Sequence, residues 1–281
     1  TAGVSQKKVE AASTGKLSVT GYQDYNDAQK ILKEVNKYRK KNGRKALKMD
    51  RGLTNSAIMR GFETTIYIPE ISPHRRPNGK LSKSINKKII YENCAQSAET
   101  TPKQIVKGWI NSSTHRKGLL LSNAKSVGVA AVTVVSRDGY EANTWVLDFS
   151  SSKAKKVEKS KARKQFTKNI VTKNSYLKKS YLKLDSRYGT IWETEKMQMK
   201  PTYQGKMMKE YGVYPTVINT SSFTSWKSSN PSVASVDSNG RITGNKAGTV
   251  TISAKLKTGT KITISKKIKV VPTNQQIDPW E

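Results

Sequence analysis

The sequence predicts an α+β unit over its first half and an all-β sandwich over its second. Three observations carry that division. Apolar residues recur at helical spacing between Asp24 and Trp109, whereas two long apolar strands joined by an Asp-Gly turn close the first half near Ser150. Beyond Lys164 short β-rich runs follow one another with turns between them. Between the halves, Ser151 to Lys164 holds seven basic residues and one acid.

Taken in order, residues 1–23 are rich in Ser, Thr, Gly and Lys without clear periodicity and are expected to be a flexible leader. From Asp24, Ala28, Ile31, Leu32, Val35 and Tyr38 mark the apolar stripe of an amphipathic helix that Gly43 stops. A second helix is expected from Leu53 to about Ile66, with Leu53, Ala57, Ile58 and Phe62 inward. "KKIIYENCAQ" reads as a strand. "TTPKQIVKGWIN" reads as a helix capped by threonine, with Pro102 in its first turn. "SVGVAAVTVVS" and "YEANTWVLDFS" are strands joined by "RDG". These place an α+β domain at 24–150 and a basic linker at 151–174. A β domain is expected at 175–272, built on "SVASVD", "GRITG", "GTVTISAKL" and "TKITISKKIKVV", with 273–281 as a tail.

The chain has 281 residues, 52 Lys and Arg against 20 Asp and Glu, and a formal net charge of +32. That field attracts anions over a reach of about 8 Å at physiological salt. No apolar run approaches the ~18 residues of a membrane-spanning helix. With one cysteine, Cys94, no internal disulfide can form. The first residue is threonine, so a removed secretion signal fits the expectation of export. The chain holds two histidines, His74 and His115, which makes them its whole supply of imidazole for metal ligation and proton transfer.

Three stretches in the first half, "VNKYRKKNGRKALKMDRGLT" with "AIMRGFE", "SPHRRPNGK", and "IIYENCAQ" through "WINSSTHRKGLL" to "VGVAAV", resemble the CAP superfamily in its bacterial form. CAP proteins are the cysteine-rich secretory, antigen-5 and pathogenesis-related proteins. The resemblance implies an α-β-α sandwich with a shallow cleft, and export. It implies two histidines and two glutamates around that cleft, and His74, Glu92 and His115 match three of the four. The fourth falls on Ser112, where the acid is missing, while Tyr91 and Cys94 replace a glycine and an aliphatic residue. "SWKSSNPSVASVDSNGRITGNKAGTVTISA" resembles bacterial immunoglobulin-like domains of group 2, which implies a spacer or adhesive module on an exported protein.

His74, His115 and Glu92 are the right number and kind of ligands for zinc or another divalent metal. A hydrolase would also need a general base. Ser112 replaces the family's second acid, and Glu63 stands in only if its helix borders the cleft; Asn93 is a further cleft neighbour. Three readings stay open: a ligand-binding or structural cleft without metal, a metal site without turnover, and a metal-dependent hydrolase or peptidase. The balance is against an enzyme. Ser113 lacks a nucleophile elbow and is expected to cap the helix of "THRKGLL", and Cys94 is expected to be an inert thiol in a strand. Neither half resembles a nucleic-acid-binding fold, so the charge points to an anionic cell-wall polymer, an acidic glycan or anionic lipid.

Overall fold

A computed structural model describes residues 13–67, 74–97 and 100–274. The first half contains β1 (Thr14–Asp24), α1 (Tyr25–Lys41), β2 (Lys48–Met49), α2 (Arg51–Tyr67), β3 (Ile89–Ser97), α3 (Pro102–Asn111), α4 (Ser113–Leu119), β4 (Ser126–Val135) and β5 (Glu141–Ser150). Then come β6 (Arg163–Lys173), β7 (Leu182–Asp185), β8 (Thr190–Trp192), β9 (Lys196–Gln198), β10 (Lys200–Tyr203), α5 (Lys206–Glu210) and β11 (Thr216–Val217). The chain closes with β12 (Phe223–Ser228), β13 (Ala234–Val236), β14 (Arg241–Gly244), β15 (Gly248–Leu256) and β16 (Thr263–Val271).

The helices start where the sequence offers side-chain acceptors. The Asp24 carboxylate accepts from the Asp27 amide at 2.9 Å, and Arg39, Lys40 and Lys41 complement the dipole at the other end of α1. Gly43, with φ +67°, takes the left-handed conformation that ends it. Thr101 and Gln104 form a reciprocal capping box at α3.

A six-stranded sheet runs in the order β3-β5-β4-β1-β6, with β2 added to β4. Alternation along β4 divides its two faces. Ala130, Val132 and Val134 pack with Ala57, Ile58 and Phe62 of α2. Val127, Val129 and Ala131 pack with Ala28 and Ile31 of α1, Val106 and Trp109 of α3 and Leu119 of α4. This is the expected α-β-α sandwich. Helix α2 lies very close to the sheet: a Cβ on Gly128 would stand 2.3 Å from the Leu53 carbonyl carbon.

Three expectations are corrected. Residues 1–12 of the expected leader lie outside the described residues, but Thr14–Asp24 is β1, paired with β4 and, over eleven residues, with β6. Its Leu17 and Val19 are fully buried. The second half of the expected 151–174 linker is β6, the partner that makes β1 a strand. Residues 151–162 form no regular element, yet the Lys155 amide donates to Asp50 at 2.8 Å and Glu158 pairs with Arg51 at 2.9 Å. Finally, Ser113 is the first residue of α4, and the cap is Ser112.

The second half consists of sheets β12-β15-β16-β8, β13-β14-β9 and β11-β10-β7, with the short helix α5 unforeseen in the sequence. Of the expected tail, residues 275–281 lie outside the described residues. One buried cluster continues from the α2 face of the first sheet through Ile170 and Leu177 into Phe223, Ile252 and Ile268. Strand β1 also bonds directly across the junction. The Ser18 amide donates to Ser222 Oγ and the Asn219 amide to the Ser18 carbonyl, both at 2.8 Å. Tyr140 stacks on Tyr214 with ring centroids 4.4 Å apart.

Candidate functional site

Strand β3 is the free edge of the first sheet, and its alternation sorts the site. Tyr91 and Asn93 face α4: the Tyr91 hydroxyl donates to the Thr114 carbonyl and Asn93 Nδ2 to the His115 carbonyl, both at 2.9 Å. Glu92 and Cys94 face the other way, towards α2 and the loop that carries His74. The α4 backbone around His115 thus packs on the Tyr91–Asn93 side of β3, and His74 meets Glu92.

Glu92 is 5% exposed and surrounded by donors. Arg60 of α2, with no exposed surface, grips it through Nε at 2.8 Å and Nη2 at 3.1 Å. His74 Nδ1 lies 3.1 Å from Glu92 Oε1. Burial alone would raise the Glu92 carboxyl; hydrogen bonds from His74 and Arg60, with the Arg60 charge, instead lower it to about 2. Arg60 Nη1 also holds Glu63 at 2.8 Å, and Arg76 grips the second oxygen of Glu63 through Nε at 2.9 Å and Nη2 at 2.8 Å. Against the cost of burial, the hydrogen bond and charge of Glu92 raise the Arg60 pKa above its ordinary value. Two carboxylates are therefore neutralised by two arginines inside the fold.

Asp148 of β5 stands opposite Glu92 in the ladder and is fully buried. Burial and the neighbouring Glu92 charge push its carboxyl well above the usual carboxylate range, which favours the protonated acid. Cys94 is pushed up by burial and by Glu92, so the thiol is favoured over the nucleophilic thiolate.

His74 keeps 44% of its side chain exposed. With Nδ1 on Glu92, its Nε2 is the nitrogen turned to an incoming ligand, the arrangement in which a carboxylate orients a metal-binding imidazole. His115 Nδ1 lies 2.9 Å from Ser112 Oγ. Burial and the charge of His74 lower the His115 pKa, partly offset by a hydrogen bond to the Cys94 backbone, so His115 favours its neutral form.

The chain matches the cysteine-rich secretory protein family, CAP, over residues 32–149, and the bacterial Ig-like domain of group 2 over residues 204–268. It carries a CAP domain followed by a bacterial Ig-like domain. A curated relative is the uncharacterized protein YkwD of Bacillus subtilis (strain 168), 31% identical over 130 residues, 45% of this chain and 48% of that protein. The chain thus spans about half the length of the curated relative it matches. Among solved structures, it is similar to an extracellular protein containing a SCP domain from Bacillus anthracis str. Ames, at 20% identity, covering 44% of this chain and 41% of that one with a TM-score of 0.34. It is also similar to an outer surface protein of Borrelia burgdorferi, at 17% identity, covering 46% of this chain and 98% of that one with a TM-score of 0.34.

Within the CAP domain, His74 and Glu92 meet as the resemblance implies, and Asn93 and Ser112 both contact His115. Glu63 lies behind Arg60, locked to two guanidinium groups. Two of the three expected ligands, His74 and Glu92, come together, and Cys94 stands beside them. Among the described residues, the group whose ligand atoms all lie within 4.8 Å of one another is His74, Glu92 and Cys94. His115, whose Nδ1 meets Ser112 Oγ, is not part of that group. Glu92 has its oxygens engaged by Arg60 and His74, and so orients the His74 ring.

Arg60, Arg76 and Asp148 escaped the sequence reading. The spacing of Arg60 and Glu63, three apart on a helix, signals an ion pair, but only burial makes it consequential. Nothing in "VLDFS" separates Asp148 from an ordinary strand-end acid.

Proposed function

We propose that this chain is an exported bacterial protein that uses the CAP cleft to bind a ligand without turning it over. The observation that carries the reading is the locking of Glu92 and Glu63 by Arg60 and Arg76. In a metallohydrolase that uses the histidines as ligands, a carboxylate has to be free to take a proton from the bound water. Here one glutamate is held at a pKa of about 2 by His74 and Arg60, and the other is gripped by two arginines. His74 keeps 44% of its side chain exposed, and its Nε2 is suited to a zinc-like divalent metal or to a hydrogen-bonding ligand.

The Ig-like unit, joined to the CAP domain by a continuous buried cluster and by β1, holds that cleft at a fixed orientation from a cell surface. Its family supports export. The net charge of +32 supports an anionic partner at that surface: a cell-wall polymer, an acidic glycan or lipid head groups.

The test is zinc and copper titration of the full chain beside His74→Ala and His115→Ala, with peptide and ester hydrolysis measured in parallel. Metal affinity is expected to fall sharply with His74→Ala and less with His115→Ala, and hydrolysis to stay at background. Equal metal affinity in all three proteins would remove the metal from the proposal. Hydrolysis that disappears in His74→Ala would overturn the binding-only reading in favour of a metallohydrolase.

A further inference from the structure

Residues 74–91 carry Arg75, Arg76, Lys80, Lys83, Lys87 and Lys88 and no acid. Arg76 is engaged with Glu63. Arg75 and the four lysines are exposed, and the next acid in sequence, Glu92, is buried, so residues 74–91 themselves present positive charge to solvent.

Two large apolar side chains stand in the middle of it. Leu81 is 45% and Ile90 42% exposed. Both exposures are built into the backbone. Ile90 sits at a bulge, where the β3–β5 register shifts between Ile89 and Tyr91, and a bulge turns a side chain out of the ladder. Leu81 bridges Arg75 and precedes the 3-10 turn Ser82–Ile85. Its loop is pinned by the Ser82 amide on the His74 carbonyl and the Arg76 amide on the Lys80 carbonyl, both at 2.8 Å. Leu81, Ile90, Lys80, Lys83 and Lys87 together line a shallow, open groove of about 780 Å³.

We propose that this face docks the CAP domain onto an anionic lipid bilayer. Leu81 and Ile90 enter the boundary between head groups and acyl chains, and Lys80, Lys83, Lys87 and Lys88 lie against lipid phosphates with their stems along the apolar pair. The proposal rests on the reading that the positive field meets an anionic surface, and it names the surface. A soluble polyanion has no use for exposed leucine and isoleucine. Of the neighbouring basic segments, residues 151–164 expose one large apolar side chain, Val157, and β6 turns its Ile170 fully inward. Because the His74 carbonyl holds the same loop, the cleft would stand beside the membrane.

Co-sedimentation of the full chain at low salt tests this, using vesicles of phosphatidylglycerol with phosphatidylcholine against phosphatidylcholine alone, and heparin as a soluble polyanion. The wild type is expected to bind the anionic vesicles and not the neutral ones. Lys83→Gln/Lys87→Gln should weaken vesicle binding roughly 25-fold, at about fivefold per lysine. Leu81→Ser/Ile90→Ser should weaken it several-fold while leaving heparin affinity unchanged. Lys153→Gln/Lys155→Gln, outside this face, should change it less than about twofold.

Unaltered vesicle binding by Leu81→Ser/Ile90→Ser would overturn the docking mode. An equal loss in the Lys153→Gln/Lys155→Gln control would overturn its location. Failure of the wild type to bind phosphatidylglycerol vesicles would overturn the lipid proposal. Retained heparin binding would then leave the anionic-partner reading standing, and loss of both would end it.

Discussion

Replacing Glu92 by glutamine keeps the shape of the site and removes one charge. The Glu92 carboxyl falls from 4.5 to about 2 on folding. A difference of that size between unfolded and native chains corresponds to about 3 kcal/mol of stability at neutral pH. Because the native value is the lower one, the contribution is fully present above about pH 4.5 and is lost as pH falls towards 2. Glu92→Gln also leaves Arg60 and Arg76 sharing Glu63, and removing one partner of a buried pair typically costs about 3–5 kcal/mol. Urea unfolding followed by tryptophan fluorescence should therefore show a loss of about 3 kcal/mol at pH 7. The gap between the two proteins should narrow to about half of that by pH 3 and to well under half by pH 2. A loss below about 1 kcal/mol at pH 7, or one equal across these pH values, would show that Glu92 acts through packing and not through its charge.

Leu17→Ala should cost about 2–5 kcal/mol, because the side chain is fully buried in β1; an unchanged melting temperature would return this segment to a flexible leader. Gly128→Ala should destabilise by about 1–3 kcal/mol, since the new methyl would strike the Leu53 carbonyl; thermal denaturation indistinguishable from wild type would contradict the close approach of α2 and β4. In NMR titration His115 should have a midpoint below the ordinary value of about 6.5, and His74→Ala should raise it by removing a neighbouring charge. A His115 midpoint unmoved by His74→Ala would separate the two imidazoles.

Much of the fold was legible because its determinants are local. Helix α1 follows from its apolar spacing, the Asp24 cap and Gly43, and α3 from Thr101, Pro102 and Gln104. The hairpin β4–β5 follows from Asp138-Gly139, whose glycine has φ +84°. The Ig-like half was readable through its Trp-Lys-Ser-Ser-Asn run and turns, and the CAP half through the motifs around His74, Glu92 and His115.

Strand β1 and its partner β6 were not legible in the same way. Leu17 and Val19 alternate as strand residues should, but a polar segment becomes a strand only when another supplies its hydrogen bonds. Here that partner lies about 150 residues away, inside a lysine-rich stretch that reads as solvated. The site divides along the same line. The sequence by itself determined which residue types stand at the cleft, because motif and spacing are linear properties. Only the tertiary structure decided what they do. The sheet buries Arg60 against Glu92 and Glu63, and in that low-dielectric setting the guanidinium holds both carboxylates in an ion-pair network, while His74 keeps 44% of its side chain exposed.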